Sequence, residues 1–125
     1  MAYNIMKSNA TFSRTVILTK RKMAHNTEYT LTESIKNFDF IEILFSGSSS
    51  ELYHYEEFLP VVNIPVGASA VNFLAGRVYG TSSNYVNYQV GFKANTTFIS
   101  FHLSANPSTA VLYIRINGIK ILPHS

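Results

Sequence analysis

The chain has 125 residues, no cysteine, and a formal net charge of +3 from ten basic and seven acidic side chains. This length suits one domain that buries about two-thirds of its unfolded surface, and the lack of cysteine excludes a disulfide framework, thiolate zinc sites and a cysteine nucleophile. No apolar run approaches the ~18 residues of a membrane span, and the first 20 residues lack the apolar core of a signal peptide. The one basic cluster, Lys20-Arg21-Lys22, is too short for a nucleic-acid interface and is interpreted as a solvated turn.

The composition predicts an all-β protein. Val, Ile and Thr supply 30 residues and Phe and Tyr another 17, and these types fit a pleated, half-buried surface. No window of 11 residues keeps helical periodicity without a helix breaker, and the best helical stretch is the single turn Thr32-Glu33-Ser34-Ile35-Lys36.

Alternation of apolar and polar residues predicts the strands, taken here in chain order. Residues 1–13 are weakly patterned and are interpreted as an arm or an edge strand, and residues 14–125 as the folded domain. The predicted strands cover 14–20 (with Val16 and Leu18 on one face, opposite Thr15, Ile17 and Thr19), 38–45, 51–59, 61–64, 71–79, 84–94 and 97–103. Strand 38–45 is apolar on both faces, which is typical of the middle of a sheet.

The clearest alternation lies in 84–94, where one face is apolar: Val86, Tyr88, Val90 and Phe92. A turn at Asn95-Thr96 leads to strand 97–103, in which positions 97, 99, 101 and 103 share one face and 98, 100 and 102 share the other.

Asn117-Gly118 predicts a type I′ hairpin between Ile114-Arg115-Ile116 and Ile119-Lys120-Ile121, because both central residues of that turn need a positive φ. The hairpin would pair Ile116 with Ile119 and Ile114 with Ile121, and would place Arg115 opposite Lys120. Together with Gly, Pro and Ser punctuation about every ten residues, these strands predict an antiparallel β-sandwich, jelly-roll-like, in a single domain.

The inventory of catalytic side chains is poor. Asp39 is the only aspartate, and the adjacent Glu56 and Glu57 point to opposite faces of a strand, so they cannot form a glycosidase pair by themselves. No phosphate loop or nucleophile elbow occurs. We expect no enzyme, and distant carboxylates that converge in the fold leave a hydrolase as an open alternative.

Metal binding has one weak candidate. His54 and Glu56 lie two apart on one strand face, with His102 or His25 as a third ligand, but a packed or surface histidine is the favoured interpretation. We expect no metal and no cofactor. Asp39 and Glu42, within an apolar strand, are interpreted as hydrogen-bonded or ion-paired structural residues.

The best candidate binding residues flank a small polar loop. Tyr79 and Tyr85 bracket Gly80-Thr81-Ser82-Ser83-Asn84, a composition that suits adaptable recognition of saccharides, although an ordinary β-turn has the same composition. The predicted ligand-binding residues are Tyr79, Asn84 and Tyr85, followed by Tyr53 and His54. Tyr79 also has a core interpretation, since it shares a strand face with Val71 and Phe73.

Two stretches resemble a known family. Residues 31–43, Leu-Thr-Glu-Ser-Ile-Lys-Asn-Phe-Asp-Phe-Ile-Glu-Ile, resemble the L-x-x-S-I-x-N-[FY]-D-[FY]-I stretch of C-terminal domains of phage and prophage tail fibres, and residues 114–121 resemble the way such domains end. Together they cover about a sixth of the chain, in the family's order, and they carry no catalytic residue.

The resemblance implies a β-sandwich head, usually a homotrimer at a fibre tip or baseplate, that contacts other tail proteins and the host surface. We therefore expect a receptor-binding head of the virion that recognises a host surface saccharide without covalent chemistry. The alternative is a structural module that trimerises or caps a virion part and binds no ligand.

Overall fold

The computed structural model describes residues 11–47, 55–80 and 83–122, which form two antiparallel sheets of four strands each. The strands are β1 (Thr11–Lys22), β2 (Thr27–Thr30), β3 (Phe40–Ser46), β4 (Tyr55–Pro60), β5 (Leu74–Tyr79), β6 (Tyr85–Ala94), β7 (Thr97–Asn106) and β8 (Tyr113–Leu122). Three short 3₁₀ turns lie at Ile35–Asn37, Val61–Asn63 and Ala68–Ala70.

The first sheet has the order β1-β8-β3-β4 and the second has the order β2-β7-β6-β5. The predicted all-β sandwich in one domain is confirmed. Pairing of the first strand with the last, and of β2 with β7, follows the jelly-roll pattern, whereas β3-β4 and β5-β6-β7 are simple antiparallel neighbours in sequence.

The core lies between the two sheets and is dominated by aromatic and β-branched side chains. Phe45, Phe92 and Phe98 are fully buried, and Phe45 of β3 stacks on Tyr88 of β6 with ring centroids 4.5 Å apart. The predicted central position of β3 is confirmed, because β3 lies between β8 and β4. The predicted inward face of β6, with Val86 among its buried residues, is confirmed as well.

A bulge at Phe101 changes which residues of β7 face the core. Gln89 pairs with His102, but the next residue, Val90, pairs with Ser100, so Phe101 is an extra residue. Even-numbered residues face the core before the bulge and odd-numbered residues do so after it, and Phe101 itself is 40% exposed. The prediction that positions 97, 99, 101 and 103 share one face is wrong, since period-2 reasoning assumes no inserted residue.

A similar correction applies to β1. Its pairing with β8 shifts register between Val16 and Leu18 and again between Leu18 and Arg21. Val16 therefore lies opposite Asn117 on the outer side, while Ile17 and Leu18 are both buried. The predicted common face of Val16 and Leu18 is wrong for this reason. The strand begins at Thr11, forms an edge of its sheet, and continues through the basic cluster that the sequence placed in a turn.

The predicted hairpin at Asn117-Gly118 is wrong. Both residues lie in the middle of the unbroken strand β8, which pairs with β1 on one side and β3 on the other. Gly118 lies opposite Thr15 and Ile41, against the ring of Phe38, and an added Cβ would come within 2.5 Å of that ring. Hydrogen bonding to two neighbouring strands outweighs the local turn preference, and close approach of an aromatic ring is the reason for glycine here.

The cross-strand pairs that the hairpin implied are wrong for the same reason. Arg115 pairs with Leu44 of β3, and Lys120 pairs with Ser13 of β1, so the two cations do not oppose each other. The isoleucines of β8 pair with β1, with β3 or with both.

Two other predicted strands need comment. Residues 61–64 do not form a strand, because the chain turns in the 3₁₀ segment Val61–Asn63 after Pro60 ends β4. Of the predicted strand 51–59, residues 55–59 lie in β4, and 51–54 are outside the described residues.

The two acidic residues near β3 have structural partners. Asp39 Oδ2 accepts a hydrogen bond of 2.8 Å from the backbone N–H of Ile121. Glu42 Oε1 accepts from Arg14 Nε at 3.1 Å and from Asn117 Nδ2 at 3.0 Å. Glu42 and Asn117 are 8% and 2% exposed, so this network gives buried Glu42 Oε1 and Asn117 Nδ2 their partners, while Asn117 Oδ1 has none among the described residues.

Tyr88 connects the two sheets. Its hydroxyl donates to Glu57 Oε2 of β4 at 3.4 Å, while its ring stacks on Phe45. Burial raises the pKa of the Tyr88 hydroxyl to about 12, and the negative charge of Glu57 acts in the same direction. Glu57 thus faces inward and its neighbour Glu56 outward and exposed, as strand alternation requires.

The raised pKa of Tyr88 predicts a loss of stability at high pH. The folded value of about 12 exceeds the usual value of about 10, so this stabilisation is complete below about pH 10 and is lost as the pH rises through about 12. At about pH 11 we expect the free energy of unfolding to have fallen by roughly 1 kcal/mol from this group. Urea unfolding at about pH 9 and about pH 11 measures the loss. Tyr88→Phe keeps the ring and should lose this part of the pH dependence, and an unchanged dependence would contradict the assignment.

Candidate functional site

Three of the predicted binding residues meet at one end of the second sheet. Tyr79 at the end of β5 pairs with Tyr85 at the start of β6, and their ring centroids are 5.6 Å apart in an edge-on arrangement. The backbone N–H of Gly80 donates to the carbonyl of Asn84 at 2.9 Å and closes the connection between the strands. Tyr53 and His54, the other predicted residues, lie outside the described residues.

Tyr79 is a surface residue, so its core interpretation is wrong. In β5 the side chain of Val78 is buried, and Tyr79 on the opposite face is 41% exposed. Asn84 and Tyr85 are half-buried. The tyrosine pair therefore presents one open ring and one partly covered ring on the outer face of a sheet, where a rigid backbone holds them.

Arg77 is the central residue that the sequence argument missed. Its guanidinium carbon lies 4.0 Å from the ring centroid of Tyr85 and 5.9 Å from that of Tyr79. Arg77 Nε donates to Asn87 Oδ1 at 2.7 Å, and one terminal nitrogen donates to the Tyr79 hydroxyl at 3.3 Å. A cation over an aromatic face is attracted by the ring quadrupole, so the rings and the hydrogen bonds hold the guanidinium in one place.

The polar network continues across the sheet. Asn87 Nδ2 donates to Ser104 Oγ of β7 at 3.2 Å, and strand register places Arg77 opposite Asn87 and Asn87 opposite Ser104. We call the set Arg77, Tyr79, Tyr85, Asn87 and Ser104 the tyrosine–arginine surface. Alternation could have found part of it, since position 77 lies two residues before Tyr79 and position 87 lies two residues after Tyr85.

A cavity of about 280 Å³ adjoins this surface. It lies between the ends of β5 and β6 and the segment that precedes β8, and Asn84 and Tyr85 line it together with Gly47, Gly80 and Thr109. Of the tyrosine–arginine surface only Tyr85 lines this cavity, and its walls also include Val78 and Val86, whose side chains are buried on the inner face of the sheet. Ligand sites in proteins are commonly concave, with a few convergent polar groups.

The charge of Arg77 has no carboxylate partner among the described residues. The ion pairs there join Arg14 to Glu42 and Lys93 to Glu28. The hydrogen bond to the Tyr79 hydroxyl raises the pKa of the Arg77 guanidinium, so the side chain keeps its positive charge. The surface combines aromatic rings with a permanent cation and amide and hydroxyl groups.

The predicted metal ligands do not come together where the structure describes them. Glu56 lies on β4 of the first sheet, whereas His102 lies on β7 of the second, where its ring meets His25 edge-on at 5.0 Å between centroids. His54 is outside the described residues. Within residues 11–47, 55–80 and 83–122, no group of three or more histidine or carboxylate side chains is placed to hold a metal ion.

Comparisons with protein-family models and with curated proteins find no match for this chain. In the part of the chain that the structure describes, no helix has the length and apolar character needed to cross a membrane.

Proposed function

We propose that the protein is the receptor-binding head of a phage tail fibre or baseplate, and that its tyrosine–arginine surface binds a saccharide of the host surface. The observation that carries this proposal is the pair Tyr79 and Tyr85 on the outer face of a sheet, held by Arg77 and Asn87, with Tyr85 also lining a cavity. The protein acts in the virion, attached to other tail proteins and exposed to the host.

The chemistry of the surface suits a sugar. The C–H faces of a sugar ring pack on aromatic rings, and its hydroxyl groups need donors and acceptors in pairs. Tyr79 offers an exposed ring, and Asn84 carries both a donor and an acceptor at the edge of the cavity. Tyr79 lies in β5, and the Asn84 carbonyl accepts a hydrogen bond from the backbone N–H of Gly80, so the backbone at both residues is held before binding and less conformational entropy is lost when the ligand arrives.

The proposal is for binding without catalysis. Glu57 is engaged by Tyr88 in the interior, and Glu56 lies on the outer side of the first sheet. Neither carboxylate belongs to the tyrosine–arginine surface, so a glycosidase pair at this site has no support from the described residues.

The tail-fibre resemblance gives the biological setting. Its first stretch, residues 31–43, runs through the 3₁₀ turn into β3, and its second stretch lies in β8, which pairs with β3. The two resembling stretches are thus neighbours in the first sheet, on the opposite layer from the tyrosine–arginine surface. A scaffold in one sheet and recognition on the other support a head domain whose specificity lies in the middle of the chain.

We further propose a homotrimer. The outer face of the first sheet carries large exposed rings: Phe12 of β1 is 49% exposed and Phe58 of β4 is 50% exposed, and Phe58 stacks on Phe40 at 4.9 Å. Exposed apolar patches of this kind mark protein contacts. Three copies also make weak sugar sites useful, because later contacts on one host surface occur at high effective concentration.

Light scattering of the purified protein tests the assembly. We expect a mass of about three chains, since burial of the outer face of the first sheet removes Phe12 and Phe58 from water. Phe58→Asp should shift the mass toward one chain while the isolated sandwich stays folded by circular dichroism. A wild-type mass of a single 14.0 kDa chain at micromolar concentration would contradict the trimer.

Binding to an array of bacterial surface polysaccharides tests the site. We expect Tyr85→Ala together with Asn84→Ala to reduce binding of the wild-type ligand about tenfold or more, because stacking and a paired hydrogen bond are both lost. The melting temperature should stay within a few degrees. Phe101→Ala is the matched control, since Phe101 is 40% exposed on β7 and neither lines the cavity nor belongs to the tyrosine–arginine surface.

An array that binds no wild-type protein would favour the second candidate, a structural module that trimerises or caps a virion part. The exposed rings of the first sheet favour this candidate independently of any ligand. Retention of full binding by the Tyr85→Ala, Asn84→Ala protein would instead place the site elsewhere on the domain.

A further inference from the structure

We infer that the tyrosine–arginine surface takes an acidic saccharide, with Arg77 holding a carboxylate of the sugar. This inference rests on the saccharide-binding function proposed above and adds the chemical class of the ligand. It depends on the Arg77 guanidinium, which is held in place, is positively charged and has N–H donors without a partner among the described residues.

The guanidinium has donors left for a ligand. Of its five N–H groups, one donates to Asn87 and one to Tyr79, which leaves three without a partner among the described residues. Arg77 is exposed, so these donors face solvent on the outer side of the sheet. A planar carboxylate accepts two parallel N–H bonds from such a fork, and charge-assisted bonds of this kind are stronger than neutral ones.

The surroundings favour an anion rather than a cation or a neutral group alone. The other members of the surface are the neutral residues Tyr79, Tyr85, Asn87 and Ser104. Glu57 lies on the inner side, where it accepts a hydrogen bond from Tyr88, and the described ion pairs include none with Arg77. A ligand carboxylate would therefore meet an uncompensated positive charge.

The rings supply the second half of the recognition. Tyr85 supports the guanidinium at 4.0 Å. The Tyr79 hydroxyl accepts a bond from Arg77, and Tyr79 is 41% exposed at the end of β5, so part of it is accessible to a ligand. A sugar ring can pack on Tyr79 while its carboxylate bonds Arg77, since the two groups are already joined by a hydrogen bond of 3.3 Å. A uronic or sialic acid has both features in one residue.

Matched probes test the inference with the intact protein. Trigalacturonate, a glucuronate-containing disaccharide and sialyllactose are each compared with their own methyl ester, which keeps the sugar and removes the charge. We expect wild-type protein to bind at least one acid about tenfold more tightly than its ester, with a preference that shrinks as salt rises. Arg77→Gln should bring acid and ester to within about twofold of each other, and Arg77→Lys should keep part of the preference.

Arg21→Gln is the matched control. Arg21 is also an exposed arginine near a tyrosine ring, 6.0 Å from the centroid of Tyr29, but it lies on β1 and bonds Thr19. Its replacement should leave the preference unchanged. Equal binding of acids and esters by the wild type, or no binding of any acid while array polysaccharides still bind, overturns the inference and leaves the proposed function standing. If the wild-type protein binds no saccharide at all, both the inference and the proposed function are overturned. If it binds poly(glycerol phosphate) more tightly than every sugar acid, the ligand group is a phosphate and the choice of a carboxylate is overturned.

Discussion

Phe98→Ala is expected to lower the free energy of unfolding by about 3–5 kcal/mol. The ring of Phe98 is fully buried, and its centroid lies 5.3 Å from that of Phe92 and 6.4 Å from that of Tyr29. Its removal leaves a cavity where strands of the second sheet pack on the core, and the surrounding side chains relax only in part. Urea unfolding followed by circular dichroism measures the change.

Phe101→Ala is the matched control for this prediction. It deletes the same side chain three residues later in β7, at the bulge, where the ring is 40% exposed. We expect a cost of about 1 kcal/mol or less. Equal costs at the two positions would contradict the difference in burial between Phe98 and Phe101.

Gly118→Ala is expected to cost about 1–3 kcal/mol, and Gly118→Val more, because each added atom meets the ring of Phe38. The added Cβ would lie 2.5 Å from two carbons of that ring, and Phe38 is only 8% exposed, so the ring has little room to move. Thermal or urea unfolding of each variant measures the loss.

Two further variants separate this cause from a turn that needs a positive φ. Gly118→Asn would be tolerated in a left-handed turn but should be as harmful as Gly118→Ala or worse against Phe38. Phe38→Leu combined with Gly118→Ala should cost less than the sum of the single changes, because the shorter side chain relieves the contact. Gly80→Ala is the control, since its added Cβ meets nothing closer than 3.6 Å.

The fold could be predicted from sequence where one local pattern decided the outcome. The burial of Val86, Val90 and Phe92 follows from simple alternation, and the central place of β3 follows from apolar residues on both of its faces. The failures share another physical origin. At Phe101 and near Val16 an extra residue or a register shift moves side chains to the other face, and no local signal marks such a shift.

Asn117-Gly118 is the clearest conflict between local preference and tertiary structure. The dipeptide favours a tight turn in isolation, yet in the sheet Asn117 donates to the buried Glu42, and Gly118 makes room for Phe38. Both partners are distant in sequence, so nothing near the dipeptide in the chain could reveal them. Here tertiary packing outweighs turn propensity, because two neighbouring strands and the Phe38 ring all contact the same short stretch of β8.

The candidate site could be predicted only where its residues are close together in the sequence. Tyr79, Asn84 and Tyr85 flank one short connection, so sequence proximity alone brought them together. Arg77 and Ser104 needed knowledge of strand register across β5, β6 and β7, because their link runs through Asn87. Local composition predicted the connection between Tyr79 and Tyr85. The position of Arg77, which gives the surface its positive charge, is visible only in the three-dimensional structure.

The central position of β8 sets an order of events during synthesis. The strands β5, β6 and β7 follow one another and pair as direct neighbours, so they can begin to associate while the chain is still being made. In the first sheet only β3 and β4 can pair early. The sheet cannot be completed, because β8 separates β1 from β3 and is translated after all seven other described strands. Until β8 leaves the ribosome, β1 and β3 present unpaired edges to whatever is near, including a neighbouring nascent copy of the same chain.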